Sequence, residues 1–268
     1  MTPAPGHTGP DPVLPLVALA AVVAVAGYLA AAARLRRRGD AWPRYRDASF
    51  TAGGAALAAA AVAPLPGGPF TAHMAQHLVI AMAAPVPLVV ARPMTLALRT
   101  LPPGTARRAL LAVTGSRPAA LLCFPPLAAL LDMGGLWLLY RTPLLATAHH
   151  EPLVGAVVHL HVLAAGALFT LCVCQSDPVR HGWSLAWRGA TLLAAGAAHA
   201  VLAKSLYATP PPGTAFAAAD LRAGAQVMYY GGDLADLALA TVLAAQWYAA
   251  TGRAQARFRR LSTATRAT

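Results

Sequence analysis

The stretch Thr71-Ala72-His73-Met74-Ala75-Gln76-His77-Leu78, which opens an apolar run reaching Ala91, decides how this chain is read. A run of about 20 apolar residues is long enough to cross the hydrocarbon core of a bilayer. Two imidazoles four residues apart enter it at one end. Positions i and i+4 share a helix face, so His73 and His77 address one ligand or one partner. Ionisable groups inside a membrane are costly, and their presence there is a functional hypothesis by default.

The rest of the chain supports a membrane setting. Apolar residues make up 57% of 268 and charged residues 11%, and the apolar ones fall in long blocks. Seven blocks read as helices: 13–33, 48–65, 72–91, 118–140, 152–174, 187–207 and 224–250. The second, short and rich in alanine and glycine, is the weakest. The arginines flanking the first block follow it, the reverse of a secretory signal. The expected fold is therefore all-α: a polytopic membrane bundle of seven transmembrane helices in one domain, with a basic cytoplasmic tail at 251–268. Pro85 and Pro87 in the third helix and Pro125-Pro126 in the fourth predict kinks. The arginine-rich 92–117 segment reads as a loop with a short interfacial helix at 104–113, and Pro210-Pro211-Pro212-Gly213 as a turn in an outer loop.

The net charge of +12 is a topology signal. With the amino terminus outside and the carboxy terminus inside, every one of the 21 basic residues except Arg141, Arg222 and Lys204 falls on the inner side. Cytoplasmic loops are enriched in Lys and Arg, so the charge meets anionic lipid head groups rather than nucleic acid. Cys123, Cys172 and Cys174 then face the reducing side and give no disulfide framework; Cys172 and Cys174 are either a metal relay or small apolar filler.

In that orientation every histidine but His181 lies in the outer half. His73 and His77 sit roughly 1–8 Å below the outer boundary, while His159, His161 and His199 sit roughly 10–14 Å down. Asp132 and Asp233 come to a similar depth, with Asp236 deeper. His7, His149 and His150 belong to the outer tail and loop. Imidazole, carboxylate and thioether together form a transition-metal ligand set, and imidazole with methionine suits copper. The candidate ligands are His73, His77, His159, His199, His150, Asp132, Asp233, Met74 and Met228. Asp132 or Asp233 either ligates or orients a ligating imidazole. His159 is preferred to His161, because residues two apart face different ways. Cross-helix hydrogen bonding is the alternative for each histidine, and proton or cation binding for the aspartates.

The run His73-Met74-Ala75-Gln76-His77-Leu78 followed by Ala84-Pro85-Val86-Pro87-Leu88-Val89-Val90-Ala91-Arg92-Pro93 resembles the signature of the CtaG family of cytochrome c oxidase assembly proteins. His150-Glu151-Pro152 through His159 to Phe169 is similar to that family's next block, and Asp220-Leu221-Arg222-Ala223-Gly224-Ala225-Gln226-Val227-Met228 to the block before its last helix. Leu221, Tyr229 and Ala91 depart from the Gln, Trp and Gly of the family pattern. The resemblance spans about residues 50–250. It implies a non-enzymatic factor of the bacterial plasma membrane that helps assemble a haem-copper oxidase, binding copper at the outer face. Its implied partners are cytochrome c oxidase subunits or other copper chaperones. A copper or proton-coupled transporter and a haem-binding redox protein are the competing classes. No nucleophile–base pair or phosphate-binding loop is present.

Overall fold

The computed structural model describes residues 13–177 and 182–266. His7, Arg180 and His181 lie outside the described residues, as do the side chains of the arginines beyond Arg253. Among the described residues the chain is helical, with no strand. Its helices are α1 (Val13–Arg37), α2 (Arg44–Val62), α3 (Pro69–His77), α4 (Pro85–Val90), α5 (Pro93–Thr100), α6 (Thr105–Thr114), α7 (Arg117–Leu122), α8 (Pro125–Arg141), α9 (Leu144–His150), α10 (Pro152–Cys174), α11 (Leu185–Ala208) and α12 (Ala218–Arg266). A π-helical segment, Leu78–Ala83, joins α3 to α4.

Five helical stretches are long and apolar enough to cross a membrane: Val13–Arg37, Pro69–Val90, Pro152–Cys174, Leu185–Ala208 and Ala218–Arg253. Two expected spans fall outside this set. α2 starts on Arg44, Arg46 and Asp47 and continues largely in alanine and glycine, and α8 has only 17 residues. The expected fourth helix, 118–140, is two helices. Pro125 and Pro126 occupy the first positions of α8, and the preceding Phe124 is extended at φ −73°, ψ 115°. A residue before proline is driven from the α region, so the helix breaks there rather than bending.

Proline acts differently in the third span. Pro85 has no N–H to offer the Ala81 carbonyl. The turn before it widens, and the Ala84 N–H bonds to Val79 O, five residues back, at 2.9 Å. The Ala81 carbonyl packs directly against Gly166 of α10, where any Cβ would collide with it.

The main core lies among α3, α8, α10, α11 and α12, and includes Phe70, Met74, Leu136, Phe169, Leu202 and Met228. A second cluster joins α1 and α2 to α5. In it Tyr28 stacks on Phe50 at 4.1 Å and donates to Ala91 O at 2.8 Å, which ties down the turn where Arg92 takes a left-handed φ of 58°. Leu16, Val22, Leu130, Leu138, Leu153, Leu160, Leu193 and Leu234 are exposed, as expected of a surface facing lipid rather than water.

The two ends of the bundle differ. One gathers the arginines closing α1, the α4–α7 segment, the end of α10 and the start of α11. Here Arg188, buried, donates to Val173 O at 2.8 Å, Cys174 O at 3.2 Å and Gln246 Oε1 at 2.8 Å, satisfying carbonyls left open at the end of α10. Cys172 and Cys174 are fully buried, and the Cys172 thiol donates to Leu122 O at 3.5 Å. The other end gathers the starts of α3, α10 and α12, all of α9, and the ends of α8 and α11. This is the histidine end. The Pro210–Gly213 turn lies here, with Gly213 at φ 77°.

α12 is longer at both ends than the 224–250 expected, and its helix continues to Arg266 through the basic segment. α6 covers the expected interfacial helix and buries none of its residues. Residues 144–150, expected as loop, form α9.

Candidate functional site

The start of α3 is fixed from across the bundle. Pro69 occupies its first turn, and its cap residue, Gly68, has no side chain to accept the next N–H groups. Asp220 of α12 supplies the acceptor. Its carboxylate takes Phe70 N–H at 2.8 Å, Thr71 N–H at 3.0 Å and Thr71 Oγ1–H at 2.6 Å. Asp177 does the same for α5, accepting Met94 N–H at 3.1 Å, Thr95 N–H at 2.8 Å and Thr95 Oγ1–H at 2.6 Å. Sequence reasoning missed both caps, because the acceptor lies some 80 to 150 residues from the helix it serves.

With α3 held, His73 and His77 present one face to α8, α9 and α11. His73 Nε2 shares a 3.0 Å hydrogen bond with the Tyr140 hydroxyl, and its ring meets that of His149 edge-on at 6.3 Å. His77 lies 6.4 Å from the Tyr140 ring and stacks near-parallel on His199, 6.5 Å between centroids at 19°. His77 and His199 are 6% and 2% exposed, and the Nε2 atoms of both are buried with no hydrogen-bond partner. Gly232 of α12 lets the His199 ring lie directly on its backbone.

Below His199 is a small cavity, about 10 Å³ open to the centre of a water molecule, which is near the minimum for one water. Asp132, Asp236, His199 and Thr170 supply its polar lining, and Met82 and Met133 its sulfur. Polar groups thus run inward as a column: His149, His73, Tyr140, His77, His199, then the Asp132–Asp236 cavity.

The expected ligands divide accordingly. His73, His77, His199 and Asp132 join the column. His159, half-buried, contacts Gly155 O through Nδ1 at 3.0 Å and stands within electrostatic reach of His73 and His149. His161 instead reaches Leu131 O at 3.2 Å across Gly135. Met74 and Met228 are fully buried in the main core, where their sulfurs pack. His150 is exposed beside His149. Asp233 is exposed on α12, and Asp236, three residues on, is the one that turns into the cavity. Gln76 points away, donating to Ala60 O at 2.9 Å. Sequence reasoning missed Tyr140 as well, since a tyrosine near a helix end carries no polar signal of its own.

His149, outside the spans, has its pKa held below the ordinary 6.5, first by burial and then by His150 and His159. That favours the neutral ring, the form in which imidazole binds metal. Among the described residues no three His, Cys, Asp or Glu side chains stand close enough to enclose a metal ion as placed. What the column offers is two buried imidazole nitrogens without partners, with further imidazoles at its mouth.

An apolar helical bundle with a column of histidine, tyrosine and aspartate entering from one end defines the class: a polytopic membrane protein with a buried polar site. The family model of the cytochrome c oxidase caa3 assembly factor matches residues 26–250, and the chain belongs to that family. Uncharacterised proteins of Mycobacterium bovis and Mycobacterium tuberculosis are each 36% identical to it over 172 residues, which cover 61% of this chain and 26% of the relative. One from Mycobacterium leprae is 32% identical over 173 residues, with the same coverage. The chain thus spans about a quarter of the length of the curated relatives it matches. No solved structure matches it.

Proposed function

We propose that this chain supports assembly of cytochrome c oxidase without itself catalysing a reaction, by holding a copper ion in the histidine column and releasing it to the oxidase or to a copper chaperone. One observation carries the copper reading: the partnerless Nε2 atoms of His77 and His199, brought together from α3 and α11. A buried polar atom without a partner is costly, and an imidazole nitrogen held so is a ready ligand for copper. Two nitrogens without a closed cage suit cargo that must leave again. His73, His149 and His159 at the mouth would receive the ion, and Tyr140 sets the orientation of the His73 ring.

In this proposal α2 and α8 complete seven spans, the arginine end is cytoplasmic, and the column opens to the extracytoplasmic side of the plasma membrane. The exposed Leu130 and Leu138 support a lipid contact for α8. The test is copper content after loading the purified chain with Cu(I), compared with a His77→Leu/His199→Leu variant of equal helicity. Equal retention in both removes the site.

A second reading, movement of a cation across the bilayer, draws on the Asp132–Asp236 cavity below His199. Copper uptake into proteoliposomes distinguishes it from delivery at one face.

A further inference from the structure

The α12 face turned away from the bundle carries polar side chains where lipid contact calls for apolar ones. Gln226, Tyr230, Asp233, Leu237 and Thr241 are all exposed, at successive spacings of four, three, four and four. That places them on a single stripe along the helix. Among the described residues, no hydrogen bond or ion pair from a side chain of this chain reaches Gln226 or Asp233. Thr241 Oγ1 only bonds back to Leu237 O at 2.8 Å, and the Tyr230 ring meets Tyr229 edge-on.

The stripe also runs deep. Gly232, next to Asp233, packs on His199, which is nine residues from the end of α11. At 1.5 Å per residue that is roughly 14 Å, near the middle of a hydrocarbon core of about 30 Å. A carboxylate there faces inward, meets water or finds a partner; lipid does not solvate it. Asp236 takes the inward position instead. Asp233 faces out.

We propose that this stripe docks a transmembrane helix of another protein, one that carries a lysine or arginine near its middle to meet Asp233, with Gln226 and Tyr230 adding hydrogen bonds on the same seam. Charge complementarity selects this occupant. A second copy of the chain related by a two-fold axis along the membrane normal would bring Asp233 against Asp233, a like-charge contact that opposes pairing. The docking seam turns outward beside the histidine column, with Asp233 within electrostatic reach of His199 and Asp236, and docking along it needs no copper. It gives an assembly factor a grip on a membrane-embedded client.

The test uses the 268-residue chain, fluorescently labelled, in phosphatidylcholine vesicles. Synthetic leucine–alanine transmembrane peptides carry Lys, Leu or Glu at the centre, and energy transfer reports association. The Lys peptide is expected to bind roughly tenfold more tightly than the Leu or Glu peptide. Asp233→Asn removes that preference, and Gln226→Leu weakens binding while keeping it. Asp233→Lys, with helicity checked by circular dichroism, transfers the preference to the Glu peptide. Equal association of the three peptides with the unaltered chain overturns the proposal. So does a Lys preference that survives Asp233→Asn, or energy transfer between two labelled copies of the chain that matches the Lys peptide.

Discussion

Asp220 grips Thr71 across the bundle, accepting both its N–H at 3.0 Å and its hydroxyl at 2.6 Å. The first turn of α12 therefore sets the position of the helix that carries His73 and His77. An acidic cap satisfies orphan N–H groups and complements the helix dipole. Asp220→Ala is expected to cost about 1–2 kcal/mol of stability. Asp220→Asn costs less, because its amide oxygen still accepts. Unfolding in mixed micelles, followed by circular dichroism, measures both, and an Asp220→Ala protein as stable as the parent would contradict the cap.

Tyr140→Phe leaves the ring contacts of His73 and His77 in place and removes only the 3.0 Å bond to His73. The expected loss is about 0.5–1.5 kcal/mol. Nitrogen NMR of the His73 ring should show a changed tautomer balance, with His199 unaffected. An unchanged His73 signal would mean that the hydroxyl does not orient the ring.

The partnerless nitrogens of His77 and His199 make stability and ligand binding oppose each other. His199→Phe swaps a buried polar ring for an apolar one, which is expected to raise stability by about 1 kcal/mol. The same change should lower copper retention. A variant that loses stability and keeps its copper would contradict both expectations.

Gly166 accepts the Ala81 carbonyl so closely that a Cβ cannot share the space. Gly166→Ala is expected to cost about 1–3 kcal/mol or more, since backbone rather than a flexible side chain must give way. Gly189 has open space around its missing Cβ, so Gly189→Ala is a control expected to be neutral or stabilising. Thermal unfolding of the two variants side by side decides it.

His149 titrates below 6.5 in the folded chain, for burial and its two histidine neighbours disfavour the charged ring. The unfolded chain takes up this proton first as pH falls. The contribution of His149 to stability is therefore complete above 6.5 and is lost as pH drops from there toward the folded value. His150→Gln is expected to shift the His149 midpoint upward without reaching 6.5, because burial remains. Proton NMR of the ring reads the midpoint, and an unmoved value would exclude His150 as a contributor.

Much of this arrangement is legible in the sequence, through features that act locally. Long apolar blocks announce the spans, and the i, i+4 spacing puts His73 and His77 on one face. Proline is legible as a disturbance but not as its form: Pro125-Pro126 breaks a helix, whereas Pro85 follows a widened turn. The residue before the proline differs in the two places: Phe124 is extended, whereas Ala84 stays helical and its N–H reaches back five residues to Val79 O. Remote capping by Asp220 and Asp177 is invisible because each acceptor lies far along the chain from the helix it serves. The choice between Asp233 and Asp236, three residues apart on one helix, depends on which side of α12 meets α11, and only Asp236 lines the cavity. Met74 and Met228 read as ligands by type, and both lie fully buried in the main core.

The widened turn Leu78–Ala83 also acts as a phase setter. An α-helical residue advances the face by about 100°, so the extra residue rotates everything after it by that amount relative to His73 and His77. The two histidines can address α8, α9 and α11 while Ala91, on the same span, packs with α1 and α2. Deleting one residue between Leu78 and Ala83 would relax the turn to ordinary pitch and set those two halves in conflict. The chain would then keep its apolar length and its histidines but lose the ability to satisfy both neighbourhoods at once. In this span the count of residues matters as much as their kind.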